Sequence, residues 1–256
     1  MDRACCLCQC RAMIKPALQT LIACAVALAP LPVAASESCA TDAMLVFDGS
    51  GSMAEMGFNL LDAPRIVEAR EAVRRAMPFI APVRRVGLII YGPGGTGGPD
   101  GACNNVDLRF PPLPDAGDRI RSEIDALQPL GETPLTDAVR SAAEQLDYRN
   151  KPGLIVLVTD GKETCGGAPC HLAGQLAAEG YDLTVHVIGF RVRDDHFSWD
   201  QVGKSGPRTT VAECLPAANG GRYVPAESVE ELAQALEDTL GCQHLSHRQT
   251  PQRKAG

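Results

Sequence analysis

Ala43-Met44-Leu45-Val46-Phe47-Asp48-Gly49-Ser50-Gly51-Ser52 decides the fold of this chain. The unbroken apolar run predicts a strand covered on both faces, and the glycines after Asp48 let the backbone turn sharply at its end. Three oxygen-bearing side chains, Asp48, Ser50 and Ser52, stand at alternate positions of that turn. Such side chains can face one concave space, and hard oxygen donors suit Mg²⁺, Mn²⁺ or Ca²⁺.

A second stretch repeats the placement. Leu154-Ile155-Val156-Leu157-Val158 is again wholly apolar and delivers Thr159-Asp160-Gly161. Open α/β sheets collect their ligands beyond the carboxyl ends of the strands, so Asp48 and Asp160 are expected to meet there. Between them, Gly131-Glu132-Thr133-Pro134-Leu135 offers Thr133 as a further ligand. By itself Thr133 reads as the N-cap of a helix opened by Pro134 and carrying Leu135, Ala138, Val139, Ala142 and Leu146.

The remaining elements fit around these strands. Pro64 announces a helix whose apolar face holds Ile66, Ala69, Ala72, Val73, Ala76, Met77 and Ile80, and Val86–Tyr91 reads as a buried strand. Val106–Phe110 alternates and meets Pro111 and Pro112, as an antiparallel edge strand that stops at the prolines should. Ile120, Ile124 and Leu127 mark a short helix, residues 171–180 another, and Leu183–Phe190 a strand in which His186 is a hydrogen-bonded core residue. Asn219-Gly220-Gly221 turns into a short last strand, and Ser228 with Glu231 forms a capping box before a final helix. The residues after Cys242 read as a frayed polar tail, and no role follows for residues 191–212. The expected fold is α/β: a doubly wound, mostly parallel sheet with one antiparallel edge strand and helices on both faces.

Three separated signatures in this order, Asp48-Gly49-Ser50-Gly51-Ser52, the Thr133 loop and Thr159-Asp160-Gly161, resemble the von Willebrand factor A (VWA) family and its metal-ion-dependent adhesion site. The resemblance covers about residues 40–242 and, in the segment Glu163 to Cys170, is similar to bacterial exported single-domain members. It implies that Ser50, Ser52 and Thr133 bind a divalent cation through hydroxyls, with Asp48 and Asp160 holding it mostly through water. It also implies a partner protein that offers an Asp or Glu carboxylate to the ion.

At 256 residues with 45% hydrophobic composition the chain can bury one sizeable core. Its net charge of −7, made more negative when the first 35 residues with Arg3, Arg11 and Lys15 are set aside, argues against nucleic acid as a partner. Residues 1–35 read as a secretory signal peptide, with Met13 an alternative start and Val33-Ala34-Ala35 a small-residue end, so the domain is expected over 36–242. Leu21-Ile22-Ala23-Cys24 resembles a lipobox that would anchor Cys24, although the apolar run continues past it. A periplasmic or secreted chain is expected to pair its six remaining cysteines. Spacing favours Cys165 with Cys170, the chain ends suggest Cys39 with Cys242, and Cys103 with Cys214 is what remains.

Other chemistries lack their residues. Haloacid dehalogenase-type phosphotransfer needs an acid where Ser50 stands, no G-x-S-x-G elbow occurs, and Gly203-Lys204-Ser205 lacks the earlier glycine, the position being Ser198. The glycine-rich run 92–102 fits G-x-G-x-x-G but opens no helix and reads as a surface loop. A docking module is therefore favoured over a metal-independent scaffold and over a metal-dependent hydrolase.

Overall fold

The computed structural model describes residues 39–56, 63–93, 103–192 and 211–242. The expected signal segment with Met13 and Cys24, the expected tail, and most of the 92–102 and 191–212 stretches lie outside the described residues.

Six strands form one sheet in the order β3-β2-β1-β4-β5-β6. They are β1 (Ala43–Asp48), β2 (Val86–Tyr91), β3 (Val106–Leu113), β4 (Pro152–Thr159), β5 (Asp182–Phe190) and β6 (Tyr223–Ala226). All neighbours run parallel except β2 and β3. Alternate residues of β1 face opposite layers. Ala43, Leu45 and Phe47 pack with helices α1 (Arg65–Ile80), α2 (Gly117–Ala126) and α6 (Val229–Leu240). Met44 and Val46 pack with α3 (Leu135–Gln145), α4 (Pro169–Glu179) and Leu215 of α5 (Val211–Ala218). Every residue of β1 is buried, the outcome expected of a strand covered on both sides. The chain leaves β1 toward α1 on one face and β4 toward α4 on the other, so a crevice opens between their carboxyl ends.

Three details differ from the expectation. Strand β3 runs through Pro111 and Pro112 to Leu113, because an edge strand has one partner and can tolerate two missing N–H donors. There Gly87 makes room, since a Cβ on it would lie 2.8 Å from the Pro111 and Pro112 backbone. In the capping box, Ser228 Oγ accepts from Glu231 N at 3.2 Å, but Glu231 returns its bond to Glu227 N at 2.7 Å, one residue earlier than the usual pattern.

The third difference is the disulfide map. Cys39 and Cys242 pair, joining the approach to β1 with the end of α6. The pairings Cys165 with Cys170 and Cys103 with Cys214 are corrected: Cys103 bonds Cys165 and Cys170 bonds Cys214, with Cα–Cα separations of 5.4 and 5.3 Å. Cys170 sits in the first turn of α4, which packs on α5 and so faces Cys214. Cys165 lies before that helix, beside the connection between β2 and β3. Short loop spacing lowers closure entropy but says nothing about where each Cβ points, and direction decided the outcome.

His186 is hydrogen-bonded as expected but half-buried rather than in the core. Arg222 N donates to its Nδ1 at 3.1 Å, and burial first, then the Arg222 charge, lowers its pKa to about 4.

Candidate metal centre

Asp48 ends β1 fully buried, and its carboxylate organises the turn after it. Oδ1 accepts from Ser50 N at 2.9 Å, an Asx-type contact two residues along the chain, and Oδ2 accepts from Thr159 Oγ1 at 2.8 Å. Thr159 thereby ties the ends of β1 and β4 together. Two glycines let neighbouring backbones close on this turn. Gly49 N donates to Tyr91 O at 2.8 Å, and Gly51 N donates to Gly131 O at 3.0 Å.

The turn presents two hydroxyls. Ser50 Oγ and Ser52 Oγ stand 3.0 Å apart, and Ser52 Oγ donates to Asp160 Oδ1 at 2.7 Å. Thr133 lines the same space from the loop before α3. It does not cap that helix: Pro134 occupies the N-cap position with no side-chain bond. Its backbone is instead clamped by Thr164, whose Oγ1 accepts from Thr133 N at 2.8 Å and whose N donates to Thr133 O at 3.2 Å. Ser50, Ser52, Thr133 and Asp160 thus share one cavity of about 260 Å³, with Asp48 beneath it.

Four residues contribute in ways that the sequence reading assigns to none of them. Arg65, the first residue of α1, is 3% exposed and donates through Nη1 to Ser52 O at 2.9 Å and Asp160 Oδ2 at 3.2 Å. Thr159 and Thr164 act as described above. Glu163, read only as part of a loop segment, is buried and replaces the missing cap of α3: Oε2 accepts from Thr136 N at 2.7 Å and Thr136 Oγ1 at 2.6 Å, while Oε1 accepts from Cys165 N at 2.8 Å. A carboxylate at a helix N-terminus also meets a favourable dipole. Its sequence signals are its position three residues past Asp160 and its place at the head of the Glu163–Cys170 segment, and neither indicates a cap.

Replacing Glu163 with alanine leaves three buried donors without an acceptor, and an expected loss of about 3 kcal/mol follows from the usual cost of unsatisfied buried groups near a charge. Urea unfolding of Glu163→Ala checks this, with Glu163→Gln expected to lose less because it keeps one acceptor oxygen.

The cavity's charge balance bears on what it can hold. Asp48 and Asp160 are both buried, and the cation against them is Arg65. Asp160 is pushed up to about 7, by burial first and by the Asp48 charge second. Tyr91, buried below, is raised well above its ordinary range by the same two causes in the same order. Among the described residues no three His, Cys, Asp or Glu side chains converge on a metal position, so a cation here depends on the hydroxyls. Donors that are all oxygen, with a surplus of buried negative charge, fit a hard divalent cation.

Residues 43–163 match the family model of the von Willebrand factor type A domain. Protein YwmD of Bacillus subtilis (strain 168) is 27% identical over 219 residues, covering 83% of this chain and 90% of that protein. The pilus adhesin SpaC of Lactobacillus rhamnosus GG superposes with a TM-score of 0.55 at 17% identity, covering 78% of this chain and 30% of that one. Proximal thread matrix protein 1 of the mussel byssus, solved with zinc in its MIDAS motif, gives 0.50 at 20% identity over 78% and 47%. This chain thus spans less than half the length of either solved structure, and at these identities the likeness speaks for the fold. Together with the sheet order and the antiparallel edge strand, the match over residues 43–163 shows that this chain carries a von Willebrand factor type A domain.

Proposed function

We propose that this chain is an exported docking module in which a divalent cation, Mg²⁺ or alternatively Mn²⁺ or Ca²⁺, captures an acidic side chain of a partner protein. The observation that carries it is the convergence of Ser50, Ser52, Thr133 and Asp160 on one cavity above Asp48. Ser50, Ser52 and Thr133 would hold the ion through neutral oxygens, and Asp48 and Asp160 would steady it. When bound, the ion supplies an electrophilic position for an outside carboxylate. Neutral donors leave more of that positive charge uncompensated than a full carboxylate shell would.

One structural neighbour is a pilus adhesin and the other holds zinc in its MIDAS motif, and both support adhesion over catalysis. Three disulfides support a periplasmic or secreted location, oxidising compartments being where such bonds persist. Among the described residues no helix is long and apolar enough to cross a membrane. Capture from cell-envelope extract with Mg²⁺ and with EDTA tests the reading: a partner retained only with the ion supports it, and a partner retained equally in both supports the metal-independent scaffold. Turnover of generic phosphoesters or esters would support a hydrolase.

A pH dependence follows from Asp160. Its pKa in the folded chain lies above that of a free carboxyl, so the native state holds an extra proton between about pH 4 and 7. Stability of the metal-free protein is therefore expected to fall as pH rises through that window. Thermal scans in EDTA from pH 4 to 8 measure the fall, and Mg²⁺ is expected to flatten it by replacing the proton's charge.

A further inference from the structure

We propose that Arg65 is the second half of the ligand contact: it gives the cation-loaded site a net positive charge that an outside carboxylate must neutralise, and it does so at the expense of cation affinity. This rests on the cation site proposed above.

Arg65 is locally misplaced. It opens α1, where the helix dipole disfavours a positive charge, so tertiary surroundings must account for it. Those surroundings are the cavity. Arg65 lines it, and all of its side-chain bonds to described residues pass through Nη1, which reaches Ser52 O, Asp160 Oδ2 and Glu55 Oε2. Its Nε is buried without a hydrogen-bond partner. A guanidinium that is almost wholly buried and leaves donors unused is incomplete, and its planar fork suits a carboxylate.

The charges agree. Asp48 and Asp160, both buried, balance a divalent cation, and Arg65 adds one positive charge beside the same Asp160 carboxylate whose other oxygen meets Ser52. Glu55 offsets it weakly, its carboxylate lying 3.4 Å away with a side chain 60% exposed and screened by water. It also marks the direction from which an outside carboxylate approaches the guanidinium. On the rim, Lys162 and Glu132 cancel. The surplus of about one positive charge selects a monoanionic side chain such as Asp or Glu. Because Arg65 also pairs with Asp160 and repels the cation, it weakens the ion's own binding.

The test uses Mn²⁺ alone and then acetate as the carboxylate probe. Electron paramagnetic resonance of free Mn²⁺ gives its affinity, and water-proton relaxation of the Mn²⁺-loaded protein gives acetate binding. For Arg65→Gln, Mn²⁺ is expected to bind at least threefold tighter and acetate at least fivefold weaker. Arg65→Lys keeps the charge, so both affinities should stay within about twofold of wild type. A residue that merely held the fold together would lower both affinities; that result, or no change in either, overturns the proposal, as does Arg65→Lys behaving like Arg65→Gln. Wild-type protein that fails to bind Mn²⁺ overturns the cation site itself, a distinct outcome read before any variant is made.

Discussion

In Asp48→Ala, addition of Mg²⁺ is expected to leave the thermal midpoint unmoved, whereas the wild type rises. An ion that binds the folded chain at a hundred times its dissociation constant stabilises by about 2.7 kcal/mol, or roughly 5–10 °C for a domain of this size. Asp48 accounts for the loss in two ways. Its carboxylate is one of the two buried negative charges that favour a cation, and it also holds Ser50 N and Thr159 Oγ1, which set the serine turn against β4. The metal-free midpoint moves less, because losing those two bonds is partly offset by relief of the repulsion with Asp160 that raises the latter's pKa. Differential scanning fluorimetry across a Mg²⁺ series decides the matter. Equal shifts in wild type and variant would place the ion elsewhere or nowhere.

Gly92→Ala should be the most damaging single methyl in the molecule's upper edge. Gly92 follows β2 with φ of 104°, and a Cβ there would lie 2.4 Å from Ser50 N and 2.6 Å from Gly49 C. Both obstacles are backbone of the serine turn, so no side chain can swing away. Left-handed strain and the forced displacement together are expected to cost about 3–5 kcal/mol, the range of the severe point mutants. The response to Mg²⁺ should weaken too, since Ser50 must shift. Gly166→Ala is the control: its φ is 75°, but nothing lies within 4 Å of the added carbon, and only the strain of about 1–2 kcal/mol should appear. Urea unfolding of the two variants separates collision from strain, and equal losses would refute the packing role of Gly92.

The two readings differ in what made them legible. Strands β1 and β4 announce themselves because burial on both faces demands an unbroken apolar run, and the residues following such strands are carried to one edge of a parallel sheet by topology alone. Asp48, Ser50, Ser52 and Asp160 therefore stand out as a group in the sequence, and Thr133 joins them through its loop signature. Its competing reading as a helix cap fails for a reason the linear pattern hides: Glu163, 27 positions from Thr136, supplies the cap from another segment.

Sequence by itself determined the sheet, the two covered faces and the chemistry collected at the carboxyl edge, since periodicity and side-chain type act over a few residues and survive any packing. Tertiary structure alone decided the pairing of Cys103 with Cys165 and of Cys170 with Cys214, the capping role of Glu163 and the burial of Arg65 against Asp160. Each of these depends on the direction of a bond vector or the reach of a long side chain between elements distant in sequence, and neither direction nor reach leaves a periodic trace along the chain.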